Sequence, residues 1–425
     1  MLVFTFITEA LTAFALFATA ACFLIRPHAA LTALRHFPSA MSARVLFAIL
    51  ALIPGFALGL SIFIPFLAFF AAVFSGSTAV TLGLYAVIRG SRNVWPLVTG
   101  IALASLLIAG LQPLGLKIML LPKADDLPYE PVQAHVVKTY DEGVWFESVR
   151  VGSDGTLYLA ANIGLDFSRT DYFHKAHGQV IARRPDGSER ILFTTPTGSA
   201  AGAFAVAPDG TLYMPSNGVT PGIWRIDQDG RGEMFVHLPQ GAWPNGLDFG
   251  PDGNLYSPDS ALGLVWRINP ITGHAEPALK HPSLSARPFI ALAPGGNGLH
   301  FSGRTMIVTV SDSARILRFE MNKAGVFSGP VELARGIPGD DFAIGQDGSL
   351  FVTTHPYNTL VRVAPDGRRS IVADARQQII GATDAVFGIT DADRSTLYVV
   401  TDGGAFTGGP KTRGQLVALS PYATR

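Results

Sequence analysis

PNGLDFGPDGNLYS, residues 244–257, reads as a short apolar strand, an Asp-Gly turn at Asp252-Gly253 and a second apolar strand. Asp and Gly supply the backbone a tight turn needs, and apolar runs on both sides mark a hairpin. The phrase returns along the chain. FESVRVGSDGTLYLA begins at Phe146, AGAFAVAPDGTLYM at Ala201 and GDDFAIGQDGSLFVT at Gly339. NGLHFSGRTMIVT, from Asn297, is a degenerate copy, and DAVFGITDADRSTLYVVT, from Asp384, is the last. The period is about 45 residues, within the range of propeller blades.

After each copy come a third strand and often another turn, as in VIARRPDG, IWRIDQDG and LVRVAPDG, and then a more polar fourth strand. Four antiparallel strands repeated six times predict an all-β six-bladed β-propeller over residues 131–425. PVQAHVVKTY, residues 131–140, is placed to supply the closing strand of the last blade from the N-terminal side.

In a propeller the first strand of each blade lines the central channel, so one register of those strands lies at one depth. Counting eight back from the turn glycine gives Glu147, Asn245 and Asp340, and Asn297 stands eight before Thr305 in the degenerate copy. The second copy has Gly202 there, and the sixth has no clean turn glycine and is assigned no ligand. Two carboxylates and two amide carbonyls are hard oxygen donors, suited to calcium, magnesium or manganese. Asp341 would add a further oxygen. Asn before Gly is also ordinary turn chemistry, which is the competing reading for any one of these positions.

At these residues the chain resembles the SMP-30/gluconolactonase/LRE-like superfamily, which includes paraoxonases and strictosidine-synthase-like proteins. The resemblance covers roughly residues 130–420. It implies a six-bladed propeller with one divalent cation in the channel, usually calcium, with magnesium, manganese or zinc as alternatives. Glu147, Asn245, Asn297 and Asp340 look like the family's ligands, and His355-Pro356 in THPYN looks like the paraoxonase-type His-Pro turn. His174 and His177, in YFHKAHG, are candidates for a proton-shuttling pair by location only. The expected activity is a metal-dependent lactonase or esterase acting on a small molecule, with Asp340 as general base. The alternative is a non-catalytic ligand-binding or sensory propeller with a structural calcium ion. No Gly-x-Ser-x-Gly elbow is present, which argues against a serine hydrolase of the α/β type.

Composition adds a second region. The formal net charge is zero, which speaks against nucleic-acid binding, and the single cysteine, Cys22, excludes a disulfide framework. Residues 1–122 hold the excess of apolar residues, and 123–130 read as a polar linker. Apolar stretches near 2–25, 45–65, 67–88 and 95–121 predict an α-helical transmembrane region of about four spans. A signal peptide ending near ATA at 18–20 competes for the first. Arg26, Arg35, Arg44, Arg89 and Arg92 lie in the loops between spans, so the expected placement is multi-pass, with lipid as a partner and the propeller extracytoplasmic.

Overall fold

The computed structural model describes residues 126–166, 172–287, 293–405 and 409–422, with Ala124 and scattered positions between 71 and 103. The chain divides into two compact units, Met1–Met119 and Leu120–Arg425. Among the described residues of the second, 24 strands, β1 to β24 in chain order, form six four-stranded antiparallel sheets. Five blades take their strands consecutively. The sixth is built in the order β1 (Gln133–Thr139), β24 (Gln415–Ser420), β23 (Leu397–Thr401) and β22 (Ala382–Phe387). The expected closure from the N-terminal side is therefore present, with Gln133 opposite Ser420 and Thr139 opposite Gln415.

The repeated turns form as their residue types dictate. Gly155, Gly253 and Gly348 have φ of 82°, 78° and 77°, which a side chain would disfavour. The aspartate before each accepts the backbone N–H two residues on, from Thr156, Asn254 and Ser349.

The apolar faces meet between blades, and each seam has its own cluster. Phe146, Leu159, Val400 and Leu416 join the first blade to the sixth, and Val180, Leu212 and Met214 join the first to the second. Residues 123–130, expected as a linker, include a segment that lies along the outer strand of the fifth blade. Tyr129 bridges Ile371, and the N–H groups of Glu130 and Val132 donate to the carbonyls of Ile371 and Val372.

The four-span helical region and the multi-pass membrane placement are not borne out. Among the described residues no helix is long and apolar enough to cross a membrane. The described helical positions of the first unit are 71, 74–76, 78–80, 99 and 101–103. A span takes about 20 consecutive apolar residues. Apolar composition reports avoidance of water, and a run of apolar residues serves a helix buried in protein as well as one in lipid. The stretches 2–25 and 45–65 lie outside the described residues, as does most of 67–88 and 95–121.

The closing strands give a test of the ring. Leu419 of β24 is fully buried between the fifth and sixth blades, whereas His135 of β1 is exposed. Leu419→Ala should lower the unfolding free energy by about 2–5 kcal/mol. His135→Ala should stay within about 0.5 kcal/mol of wild type in the same denaturant titration.

Candidate functional site

The inner strands of four blades, or the residues just before them, carry the candidate ligands to the axis. Glu147 lies in β2 (Val144–Val151), at the point where the pairing shifts between Phe146 and Ser148, so it is the extra residue of a bulge. Asn297 lies in a similar irregularity of β14 (Gly296–Ser302). Asn245 and Asp340 precede their short inner strands, β10 (Asp248–Phe249) and β18 (Phe342–Ile344). Their backbone N–H groups still reach the carbonyls of Pro258 and Thr353.

Gly246 and Gly298, which follow the two asparagines, do not have positive φ, so Asn-Gly here is not a left-handed turn. The glycines permit close approach instead. A Cβ on Gly246 would stand 2.6 Å from the backbone nitrogen of Leu299, and one on Gly298 would stand 2.7 Å from the carbonyl of Asp340. Gly202, the matching position in the second blade, is held in the same way by the Pro215 carbonyl.

Asn297 Nδ2 donates to Asp340 Oδ1 at 2.7 Å and to Ser311 Oγ at 2.9 Å. Asn245 Nδ2 donates to Ser260 Oγ at 3.3 Å, and the adjacent Gly246 N–H donates to the Asn297 carbonyl. His355 lies between two acids, its Nε2 2.9 Å from Asp402 Oδ2 and its Nδ1 3.5 Å from Asp340 Oδ2. Glu147 is half-buried and accepts no hydrogen bond from a described residue. Burial, and then the neighbouring charge of Asp340, push its pKa up to about 8. Burial also raises Asp340, with His355 opposing. Burial would lower His355, but the Asp402 carboxylate outweighs it and holds His355 at about 9.

A second group of charges lies further along the same strands, and sequence reasoning did not find it. Arg150, Asp248 and His300 stand three residues beyond Glu147, Asn245 and Asn297. Arg150 Nη1 contacts Asp384 Oδ2 at 2.5 Å, and its Nη2 reaches His300 Nε2 at 2.8 Å and Asp341 Oδ2 at 3.1 Å. His300 also meets Asp341 Oδ1 at 3.1 Å and Asp248 Oδ2 at 3.3 Å. Asp384 further accepts from Ser148 Oγ and the Val149 N–H. The same count that found the candidate ring would have found Arg150, Asp248 and His300, because polar residues interrupt apolar inner strands there.

Asp341, expected as a further oxygen, is drawn into this second network. His300 and Arg150, opposing burial, hold its pKa below the usual carboxylate range. His174 lies exposed on a short helix, Tyr172–Lys175, and His177 opens the third strand of the first blade. Neither has a described hydrogen bond or ion pair to the candidate ring residues. His355 is brought to Asp340. Among the described residues no group of three or more His, Cys, Asp or Glu side chains is arranged to hold a metal ion. Glu147 and Asp340 would need the two amide carbonyls to complete a donor set. No described donor reaches the Oδ1 of Asn245 or Asn297, so the chemistry of the four residues suits a hard cation.

The fold and these residues define a six-bladed propeller with a largely oxygen-lined group beside a charge-compensated one. Solved structures similar to it include luciferin-regenerating enzyme, at 12% identity and TM-score 0.50, covering 69% of this chain and 96% of that one. They also include the calcium-binding protein regucalcin from Agrobacterium tumefaciens, at 16% identity and TM-score 0.48, covering 69% of this chain and 96% of that one. A gluconolactonase from Xanthomonas campestris matches at 20% identity and TM-score 0.47, covering 71% of this chain and 96% of that one. At these identities the likeness is one of fold, and the structural neighbours are propellers of the SMP-30/gluconolactonase/regucalcin kind. No protein-family model matches the chain, and no curated protein matches it at a significant level.

Glu147→Gln separates a cation ligand from a buried acid. The raised pKa of Glu147 means its folded-state penalty is absent below the ordinary value of 4.5 and is full once pH passes about 8. In chelator at pH 8.5, Glu147→Gln should therefore melt above wild type. In excess calcium the order should reverse, because only wild type keeps the charged ligand. The same order in both buffers would contradict the assignment.

Proposed function

We propose that this chain is a divalent-cation-dependent hydrolase of a small lactone or ester. One observation carries the reading: Glu147 is a half-buried carboxylate without a hydrogen-bond donor among the described residues and within reach of the Asp340 charge, and Asp340 is bonded to Asn297, whose amide oxygen, like that of Asn245, has no donor among the described residues. Burial raises both acids, and a cation is what would return them to the ionised form. Calcium is the first choice for such oxygens, ahead of magnesium, manganese or zinc.

Glu147, Asn245, Asn297 and Asp340 would hold the cation. When bound, it would polarise a substrate carbonyl and lower the pKa of a water. Asp340 Oδ1 is committed to Asn297, and its Oδ2 is the atom placed to accept a proton from water. His355, fixed by Asp402 on one nitrogen, faces that oxygen with the other and steadies its orientation. The loops joining strands at this mouth would select the substrate.

A panel of sugar lactones, acyl-homoserine lactones and aryl esters tests the reading on the full chain. At saturating calcium, Asp340→Asn should lower turnover by about two orders of magnitude or more. Hydrolysis at the wild-type rate would show that another group takes the proton. Calcium binding with no turnover of any substrate would favour a ligand-binding propeller with a structural ion.

A further inference from the structure

We propose that Ser260 and Ser311 are positioning residues that fix the direction of the two ring amides. The proposal rests on the cation reading of Glu147, Asn245, Asn297 and Asp340, and concerns how the chain prepares two of those four ligands.

Each serine directly follows the second strand of its blade, Ser260 after Leu255–Asp259 and Ser311 after Thr305–Val310. Both are buried. Ser260 Oγ donates to the Gly296 carbonyl at 2.7 Å, and Ser311 Oγ donates to the Gly339 carbonyl at 2.7 Å. Each of those carbonyls belongs to the next blade around the ring. A hydroxyl has one hydrogen. Once it is given to the neighbouring blade, the serine oxygen can only accept from the asparagine beside it.

That fixes the amide. An asparagine oxygen turned towards Ser260 or Ser311 would set lone pairs against lone pairs. Nδ2 therefore takes the serine side in both cases, at 3.3 Å for Asn245 and 2.9 Å for Asn297. Each Oδ1 is left without a described donor, which is the state a hard cation requires. The two sites differ in one respect. Asn297 Nδ2 also donates to Asp340, whereas Ser260 is the partner of the Asn245 side chain. Orientation at Asn245 thus depends more heavily on its serine than orientation at Asn297 does.

The readout is calcium affinity of the full chain by competition with a chromophoric chelator, with melting in excess chelator as the measure of structural damage. Ser260→Ala should weaken calcium roughly 10–100-fold, the range for losing an outer partner of a metal ligand. Ser311→Ala should weaken it less, and Ser260→Thr, which restores the hydroxyl, should bind close to wild type. The deciding comparison uses Asn245→Asp. A carboxylate has two equivalent oxygens and no nitrogen to misplace, so Ser260→Ala in that background should cause no further loss. Should the alanine variant fail to fold, Ser260→Cys, with a weaker acceptor, is expected to give the same ordering. An equal loss in both backgrounds, or an unchanged affinity for Ser260→Ala while wild type binds calcium, overturns the proposal. A wild-type chain that binds no calcium overturns the cation reading as well.

Discussion

The pairing of β1 with β24 closes the ring, and the chemistry at the axis depends on that closure. Glu147, Asp340, Asp341, Asp384, Asp402 and Asp248 come from inner strands and adjoining loops of four blades. Ionised carboxylates at such distances repel, and in an open array of blades they would move apart. The seam clusters resist this by making each blade's apolar face the partner of the next. The β1 ladder extends that resistance around the circle by tying residues 133–139 to 415–420. A closed ring can thus hold acids at spacings that an open sheet would relax.

The two charged groups along the axis meet the same problem differently. Around Arg150 the chain supplies its own cations. The guanidinium and a His300 held at about 9 stand against Asp341, Asp384 and Asp248, and hydrogen bonds satisfy most of the acid oxygens. At Glu147 and Asp340 the only nearby cation among the described residues is His355, and it is shared with Asp402. Burial then drives both acids towards their protonated forms. Burial raises Asp384 of the second group as well, to about 6, so the contrast lies in the pairing. Asp384 is bound by Arg150, Ser148 and Val149, while Glu147 has no such partner among the described residues, and it is at Glu147 that a cation is proposed. Pairing also explains why Asp341, adjacent in sequence to Asp340, has the opposite pKa shift: its neighbours are Arg150 and His300.

Much of this was legible in the sequence because propeller geometry converts spacing into depth. The Asp-Gly turns fixed the blades, and residues 131–140 announced the closing strand. The eight-residue count picked out Asn297 and Asp340, which touch, and Glu147, whose pKa Asp340 shifts. Asp402 escaped because it follows the second strand of its blade, downstream of the turn from which the count runs back, and its role depends on His355, a loop residue of another blade. Ser260 and Ser311 escaped because a serine after a strand carries no signal until its hydrogen is seen to cross a seam. Asp341, adjacent to Asp340, is drawn to Arg150 and His300, contacts that cross blades and leave no mark in the local sequence. In the first 122 residues, apolar composition suggested spans, but it does not distinguish lipid from protein as the apolar surroundings.

Anomalous diffraction from crystals of the full chain grown with manganese, a hard divalent cation, addresses the central claim most directly. The account predicts one strong peak bounded by Glu147, Asn245, Asn297 and Asp340, with none among Arg150, Asp341, Asp384 and Asp248. A peak in the second group instead, or no peak beside Glu147 in crystals grown at millimolar manganese, would contradict it.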